Sequence, residues 1–456
     1  MAAQVLFDNS LSIFADLIFE KWGGASIEEN IFLRDVSGRL TFVVLDHSHD
    51  RNERIGLARC AVELLDKYVD GSDQSVATPE ELYDDSLRGH RERRNVFVQG
   101  KLYSGKVSIV DRRMVGADWL RLPSEQRQAP LRLVFASLKG GVGRSTALCV
   151  LAAHLSSRGR RVLALDMDLE APGLGNMLLP GRILPEFGLL DYLVESGLGS
   201  WNKEYNADLV GPSWLGAGRG RVDVIPAVGR RSLEAPGNVL AKIARAYISA
   251  GPGRTFTDQI NDLLEEVAPE SRYDVILIDA RAGLHETTAA ALLGIGAEIF
   301  LFGSDQSQTY AGFTLLFSHL GTLPLPKDEW SDRLRVVQSK APVSNTKDFP
   351  LAIQGLFSRF LGRRPSVSFE PNLSEFRDEF NVEWDEQIND DLLLMDSNVD
   401  EPTVVAIGED EAFRQFDPDG DRSILSEKSY GAAFGDFLEM ASRMVDESVR
   451  GLGSDV

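Results

Sequence analysis

The sequence predicts an α/β protein in which a mostly parallel β-sheet is covered by helices on both faces and is preceded by a small α/β domain. From Leu131 onwards, short β-rich runs such as LRLVFASL, RVLALDMD and YDVILIDA recur with helical segments between most of them. Near-continuous apolar strands that alternate with helices are typical of parallel sheets buried on both sides. A glycine-rich segment, SLKGGVGRST, overlaps the end of the first run, where a phosphate-binding loop would join a strand to a helix.

The composition is that of a globular chain with more than one domain. The chain has 456 residues, whereas an average domain has roughly 100–200. No apolar run approaches the roughly 18 residues that a membrane span needs, and the N-terminal segment lacks the basic stretch of a secretory signal. The two cysteines, Cys60 and Cys149, are too few for a disulfide framework or a metal cluster. We therefore expect a cytoplasmic protein without membrane binding.

The net charge of −21 is concentrated near the C-terminal end of the sequence. Residues 366–456 contain 24 acidic and 6 basic side chains, so the preceding part is close to neutral. Such an acidic region repels phosphate backbones and anionic lipids. It predicts a solvated face or a basic protein partner, and it disfavours nucleic acid as a partner.

Two domains are predicted, residues 1–128 and residues 129–456. The first combines an apolar helical segment, strand candidates and a helix candidate at 51–69 into a small α/β unit of no recognised family. The polar segment 122–130 has two prolines and no apolar periodicity, and is predicted to be a linker.

The C-terminal part of the second domain is expected to be helical. From residue 348 onwards helices and turns are predicted to dominate. Residues 428–449 place six apolar side chains at helical spacing, so this helix is expected to dock on the core. The side chains in question are Tyr430, Phe434, Phe437, Met440, Ala441 and Met444.

The segment 137–146, SLKGGVGRST, is predicted to bind nucleotide phosphates. Its glycines let backbone N–H groups turn inward around phosphate oxygens, and the following helix adds the positive end of its dipole. The strict pattern G-x-x-x-x-G-K-[ST] is not met, because Leu138 and Arg144 stand where the first glycine and the lysine belong. The predicted phosphate-binding residues are Lys139, Gly140, Gly141, Val142, Gly143, Arg144, Ser145 and Thr146.

This segment resembles the deviant Walker A loop of the ParA/MinD family of P-loop ATPases, whose signature is K-G-G-x-x-K-[ST]. Lys139 matches the lysine that defines the family. The resemblance implies that two subunits enclose two ATP molecules and that Lys139 reaches the phosphates of the partner's site, where it acts as a point charge. The resemblance covers residues 131–340 well, the stretch to about 445 loosely, and residues 1–130 not at all.

Three further stretches lie in the order that the family requires. Asp168 follows the second strand, with Asp166 two positions earlier, and matches the switch I acid that orients the attacking water. Asp279 and Gly283 match the acid that holds Mg²⁺ through water and the switch II glycine whose N–H senses the γ-phosphate. Gln338 lies where relatives place a base-reading side chain and is a candidate for contact with adenine, although a packing or turn role is the preferred interpretation.

Two positions depart from the family pattern. Arg144 replaces the phosphate-binding lysine, and its larger planar fork is not equivalent to an ammonium group in a tight loop. Nucleotide binding is still predicted, but fast hydrolysis is not. Arg281 stands where the family commonly has proline. Its role is open between a phosphate contact and a contact with the partner subunit.

Other polar clusters favour structural interpretations. His47, His49 and Asp50 have side chains that suit Zn²⁺ or Mn²⁺, but a loop that caps the next helix is the preferred interpretation. Short basic stretches at 88–94, 158–161 and 359–364 are interpreted as solvated faces in preference to a nucleic-acid surface. The acidic polar side of the C-terminal helix argues against membrane binding.

Together these observations predict a bacterial, cytoplasmic ATPase that dimerises with bound ATP and hydrolyses it slowly. Lys139 and Asp168 are the predicted catalytic residues, and Ser145 and Asp279 the predicted Mg²⁺ ligands. A protein partner would bind residues 1–128 or the acidic C-terminal region. Two alternatives stay open: a non-hydrolysing nucleotide-binding scaffold or regulatory subunit of a multi-gene system such as antiphage defence, and a DNA partition or positioning factor.

Overall fold

The chain forms two compact units, Met1–Ala117 and Asp118–Val456, in a computed structural model. The residues that the structure describes are 4–45, 49–89, 93–113, 115–127, 129–179, 183–216, 220–248, 254–323, 330–342, 348–361 and 402–453. His47 and most of the acidic region, residues 366–401, lie outside these ranges.

The first unit is a five-stranded sheet with helices. Its helices are α1 (Phe7–Trp22), α2 (Gly24–Glu29) and α3 (Arg51–Leu65). Its strands are β1 (Ile31–Arg34), β2 (Leu40–Val43), β3 (Val76–Ala77), β4 (Arg94–Gln99) and β5 (Ser104–Asp111), arranged in the order β3-β2-β1-β5-β4. β1 is antiparallel to β2 and parallel to β5, so the sheet is mixed.

Apolar side chains from α1 and from the sheet make the core of the first unit. Phe14 of α1 meets Phe32 of β1 and Phe42 of β2 edge to face, and all three rings are fully buried. α3 begins where Asp50 accepts the N–H of Glu53 while the Glu53 carboxylate accepts the N–H of Asp50, which is a capping box. The preferred interpretation of this loop as a helix cap is therefore confirmed for Asp50.

The second unit is built on a mostly parallel sheet, as predicted, and the sheet has eight strands among the described residues. Its strands are β6 (Leu131–Ser137), β7 (Arg161–Asp166), β8 (Gly211–Pro212), β9 (Arg221–Ile225), β10 (Val275–Ala282), β11 (Glu298–Gly303), β12 (Leu334–Ala341) and β13 (Thr403–Gly408). They lie in the order β13-β12-β11-β6-β10-β7-β9-β8, and every neighbouring pair is parallel except β8 with β9. The carboxyl ends of β6, β7 and β10 consequently meet at the same edge.

Helices cover both faces of this sheet. They are α4 (Arg144–Ser157), α5 (Leu174–Leu178), α6 (Leu189–Gly197), α7 (Arg230–Glu234), α8 (Val239–Ala246), α9 (Phe256–Val267), α10 (Glu286–Ala289), α11 (Ser307–Leu320), α12 (Asp348–Phe360) and α13 (Glu427–Gly453). One apolar core joins the sheet to α6, α9, α11 and α12, and the other joins it to α4 and α13. The predicted architecture of a sheet buried on both faces is confirmed.

The C-terminal part combines a helix that the sequence predicts with a strand that it does not. α13 buries Tyr430, Phe434, Phe437 and Ala441 against the sheet, as predicted. β13 pairs in parallel with β12 and extends the sheet. Helices make up most of the described residues after 348, as predicted, but the six-residue strand TVVAIG is additional to that prediction, because only pairing with β12 satisfies its backbone groups.

The segment 122–130 belongs to the second unit, so its interpretation as a linker is wrong. The N–H of Ser124 donates to the carbonyl of Leu293 at 2.7 Å, and the N–H of Arg127 donates to that of Gly296 at 2.8 Å. These backbone bonds anchor an otherwise irregular segment. The structure accordingly divides the chain after residue 117 instead of after residue 128.

Among the helices that the structure describes, none combines the length and the apolar character that crossing a membrane requires.

Candidate functional site

The glycine-rich segment forms the turn between β6 and α4. Gly141 and Gly143 have φ values of 75° and 77°, in the left-handed region that glycine adopts without strain. Val142 between them is buried and anchors the loop in the core beneath. α4 begins at Arg144 directly after the loop, so the N–H groups of its first turn have no carbonyl within the helix to bind. This geometry suits an anion.

Lys139 contacts the segment that precedes α11. Its Nζ donates to the side-chain carbonyl of Gln306, which is the residue before α11. Among the residues that the structure describes, no carboxylate forms an ion pair with Lys139. Its ammonium group is therefore held by one neutral acceptor, and a phosphate oxygen would be a stronger one.

Asp279 lies at the base of the loop and accepts hydrogen bonds on both carboxylate oxygens. Arg144 Nε donates to one oxygen at 2.5 Å, and Ser145 Oγ donates to the other at 2.5 Å. Burial raises the pKa of Asp279, while the charge of Arg144 and the hydrogen bond from Ser145 act in the opposite direction. The structure thus brings together the predicted metal ligands, Ser145 and Asp279.

Arg144 points inward and bridges two predicted functional acids. Besides Asp279 it contacts Asp168 through Nη2 at 3.3 Å and the hydroxyl of Ser137 through Nη1 at 3.3 Å. Its side chain is 9% exposed. The opposite oxygen of Asp168 accepts the N–H of Ala171 at 3.3 Å. The guanidinium group therefore lies between the acid predicted to orient water and the acid predicted to bind metal.

Asp166 organises the loop that carries Asp168, a role that the sequence analysis did not assign. Its two oxygens accept the N–H groups of Asp168, Gly173 and Leu174 at 3.1 to 3.2 Å. Burial and the nearby charge of Asp279 raise the pKa of Asp166 to about 7. The D-x-D spacing at the end of a buried strand was the available signal, since the first acid of such a pair faces the interior when the second reaches the loop.

Arg281 is paired within its own chain. Its guanidinium contacts the carboxylate of Glu170, and His285 Nε2 lies 3.6 Å from the same carboxylate. Tyr247 packs edge-on against His285 with the ring centroids 4.7 Å apart. These four side chains connect the loop after β7 with the segment after β10 and with the end of α8. The sequence analysis singled out Arg281 but missed Glu170.

Gly283 already uses its N–H group. The residue has a φ of 94°, and its N–H donates to the carbonyl of Ser137 at 2.9 Å. A γ-phosphate would have to compete with that carbonyl for the N–H. The bond also joins the segment after β10 to the strand that leads into the glycine-rich loop.

Gln338 lies away from this cluster, in the middle of β12. It is 1% exposed, and its Nε2 atom has no hydrogen-bond partner among the described residues. It lines a cavity of about 450 Å³ together with Val404, Ala406 and Met440. β11 separates β12 from β6, so the structure does not bring Gln338 into the group formed by Arg144, Asp168 and Asp279.

The residues present fit a magnesium ion that is shared with phosphate. Ser145 and Asp279 supply a hydroxyl and a carboxylate, which are hard oxygen ligands, and Mg²⁺ typically completes its shell with waters and substrate phosphates. Within the described ranges no group of three or more His, Cys, Asp or Glu side chains is placed to hold a metal ion unaided. A metal at this site would therefore depend on a phosphate ligand.

Comparison with known proteins finds a family match for part of the second unit. Residues 133–301 match the family model of the CobQ/CobB/MinD/ParA nucleotide binding domain, so the predicted ParA/MinD resemblance is confirmed for that stretch. The chain is 28% identical over 163 residues to a protein of Sinorhizobium fredii (strain NBRC 101917 / NGR234) that is named as a replication protein A. The match spans 35% of this chain and 36% of that relative.

Solved structures of the same kind also align with the chain. A ParA family ATPase from Chlorobium tepidum TLS is 17% identical, with a TM-score of 0.40, and the alignment covers 70% of this chain and 99% of the other. The septum site-determining protein MinD from Pyrococcus horikoshii OT3, solved with Mg-ADP, is 18% identical, with a TM-score of 0.41 and coverage of 70% and 98%.

Proposed function

We propose that the second unit is an ATP-dependent switch that dimerises with bound ATP and hydrolyses it slowly with Mg²⁺. The observation that carries this proposal is the glycine-rich loop at the start of α4, with Ser145 hydrogen-bonded to Asp279 beneath it at 2.5 Å. Loop amides, a helix N-terminus, a hydroxyl and an acid at the end of a neighbouring strand are the parts that phosphoryl transfer to water requires.

Each part has a proposed task. The residues from Gly140 to Thr146 would hold the phosphates, and Ser145 and Asp279 would hold Mg²⁺, which supplies charge neutralisation of the β- and γ-phosphates. Asp168 would accept a hydrogen bond from the attacking water. Its position two residues after the end of β7 and its contact with Arg144 support this placement beside the phosphates.

Lys139 would complete the site of the second subunit. Within the described part of the chain its ammonium group bonds to the neutral Gln306 and to no acid, so its charge is available to an incoming phosphate. Gly283 would exchange its bond to Ser137 for the γ-phosphate, and this exchange would report the presence of ATP to the segment that contains Arg281.

The adenine base would lie toward β12. The unpartnered Nε2 atom of Gln338 and the cavity that it lines support a polar contact with a ring nitrogen. This contact is the most remote of the proposed interactions from the phosphate loop.

A non-hydrolysing scaffold is the second candidate, and Arg144 favours it. The guanidinium donates to Asp168 and Asp279 at once, so it competes with water for the acid that would orient that water. If Arg144 keeps this position with ATP bound, nucleotide would lock a conformation without turnover and stabilise the folded state by mass action alone. In either case the first unit and the acidic C-terminal region are the proposed sites for a protein partner in the bacterial cytoplasm.

Light-scattering mass and phosphate release together test the proposal. The purified protein would be measured with Mg²⁺ and no nucleotide, then with ADP, then with ATP. A dimer that forms only with ATP and releases phosphate slowly is the result we expect. A dimer that forms with ATP but releases no phosphate would favour the scaffold. If the protein binds no nucleotide and its mass is the same in all three samples, both candidates are refuted.

A further inference from the structure

We propose that Arg144 is a built-in counter-cation for the acids of the nucleotide site, and that nucleotide phosphates therefore bind this chain without a divalent metal ion. The inference rests on the proposed nucleotide binding, and assigns a metal-independent binding step to the same site. Mg²⁺ would then be needed for hydrolysis and not for affinity.

The first step of the argument is the position of the guanidinium group. Arg144 Nε is 2.5 Å from Asp279, and Nη2 is 3.3 Å from Asp168. Both acids are largely buried, with exposed side-chain fractions of 3% and 14%. A planar fork can bridge two carboxylates in this way, whereas the single nitrogen of a lysine acts as a point charge.

The second step concerns the charge that a metal ion would otherwise neutralise. Buried carboxylates are costly unless a cation or several donors compensate them. Here one oxygen of Asp279 accepts a hydrogen bond from Arg144, and the other accepts one from Ser145. The compensating positive charge belongs to a side chain of the protein itself, so it is present before any ligand binds.

The third step is the capacity that Arg144 retains for phosphate. A guanidinium group has five N–H donors, and the contacts with Asp279, Ser137 and Asp168 use one on each nitrogen. One N–H remains on each Nη atom. Two such donors would suit the paired oxygens of a phosphate group, and in this proposal Arg144 uses them to bind phosphate without releasing the acids.

The first experiment compares ADP affinity with and without metal. Isothermal titration of the full chain with ADP would be run in excess Mg²⁺ and in EDTA. We expect the wild-type Kd to differ by less than about threefold between the two conditions, and that of Arg144→Lys to weaken by at least about tenfold in EDTA. Arg160→Lys is the matched control, because Arg160 pairs with Asp446 of α13 outside the loop. A wild-type Kd that weakens tenfold or more in EDTA would overturn the inference.

The second experiment needs no nucleotide and separates this inference from the proposed function. Binding of Mn²⁺ to the nucleotide-free protein would be followed by electron paramagnetic resonance for wild type, Arg144→Ala and Arg144→Gln. Removing the guanidinium leaves Asp168 and Asp279 uncompensated, so both variants should bind Mn²⁺ at least about tenfold more tightly than wild type. The double variant Arg144→Gln, Asp279→Asn should lose that gain.

The two experiments fail in different ways. If no variant binds ADP in either buffer, the proposed nucleotide function fails, while the Mn²⁺ measurement still decides whether Arg144 occupies the place of a cation. If wild type binds Mn²⁺ as tightly as both variants, the counter-cation is refuted even when ADP binds. Circular dichroism identifies a variant that does not fold, and Arg144→Gln, whose uncharged amide keeps a polar group with two N–H donors at this position, carries the test if Arg144→Ala is that variant.

Discussion

Arg281 and Glu170 are paired across two separate segments of the second unit. Arg281 lies two residues beyond Asp279, and Glu170 lies two residues beyond Asp168, so the ion pair joins the segments that carry the proposed metal-binding and water-orienting acids. The two side chains are 29% and 25% exposed. The ion pair is partly buried. A movement of one segment relative to the other would lengthen or break this ion pair.

Glu170→Gln should therefore loosen this connection. The amide cannot form the ion pair with Arg281, and we expect the free energy of unfolding to fall by about 1 kcal/mol, a typical value for a pair that is neither fully exposed nor fully buried. Urea unfolding of the single variants and of the double variant with Arg281→Gln would measure the coupling. The exposed pair Arg414 and Glu409 is the control, and its disruption should change little. Additive effects in the Glu170 and Arg281 cycle would show that the two residues do not stabilise one another.

The stability of the nucleotide-free protein should depend on the ionisation of Asp166. The pKa of this carboxyl is about 7 in the folded protein, raised by burial and by Asp279, and about 4 in an unfolded chain. Between these values the folded state binds more protons than the unfolded state, so the contribution of Asp166 to stability decreases as the pH rises from about 4 to 7 and then stays at its minimum. Thermal unfolding across this range would measure the slope.

Asp166→Asn isolates this contribution from those of other acids. An amide does not titrate, so the difference in stability between wild type and the variant should shift in favour of the variant as the pH rises. The variant should also lose one of the three backbone hydrogen bonds that Asp166 accepts, because its NH₂ group donates. A difference that does not change between pH 4 and pH 8 would show that Asp166 is ionised throughout.

Sequence patterns predict the parts of this site that are local. The glycine-rich loop and Asp168 follow short buried strands, and Asp279 lies near the end of β10. A buried strand with an acid near its carboxyl end can be recognised without its neighbours. The direction of the Arg144 side chain could not be predicted in this way. It is set by acids 24 and 135 residues away in the sequence, which only the assembled sheet brings together.

The same limit explains what the sequence analysis missed. The pairing of Glu170 with Arg281 depends on two loops whose conformations are fixed by Asp166 and by the bond from Gly283 to Ser137. β13 is six residues long and forms a strand because it pairs with β12. Local composition does not distinguish such a short run from a turn until a partner strand supplies its hydrogen bonds.

Asp168→Ala distinguishes an ATPase from a scaffold. If Asp168 orients the attacking water, phosphate release should fall by at least about tenfold, whereas ADP affinity should change little because Arg144 keeps Asp279 as a partner. Phosphate release under excess ATP and titration with ADP would be measured on the same preparations. Turnover equal to that of wild type would exclude Asp168 as a catalytic residue and leave the scaffold as the better description.

Lys139→Ala tests whether the site is completed by a second subunit. Of the described residues, Gln306 and no acid bonds to the ammonium group of Lys139, so removing this side chain should leave the fold intact. If Lys139 reaches the phosphates of a partner, the variant should bind ADP as wild type does but keep the mass of a monomer with ATP. Gln306→Ala is the matched control, because it frees the ammonium group without removing it and should dimerise at least as readily as wild type. If the Lys139→Ala variant still forms a dimer with ATP, Lys139 does not act on the partner's phosphates. Removing a charge that bridges the interface should weaken the dimer.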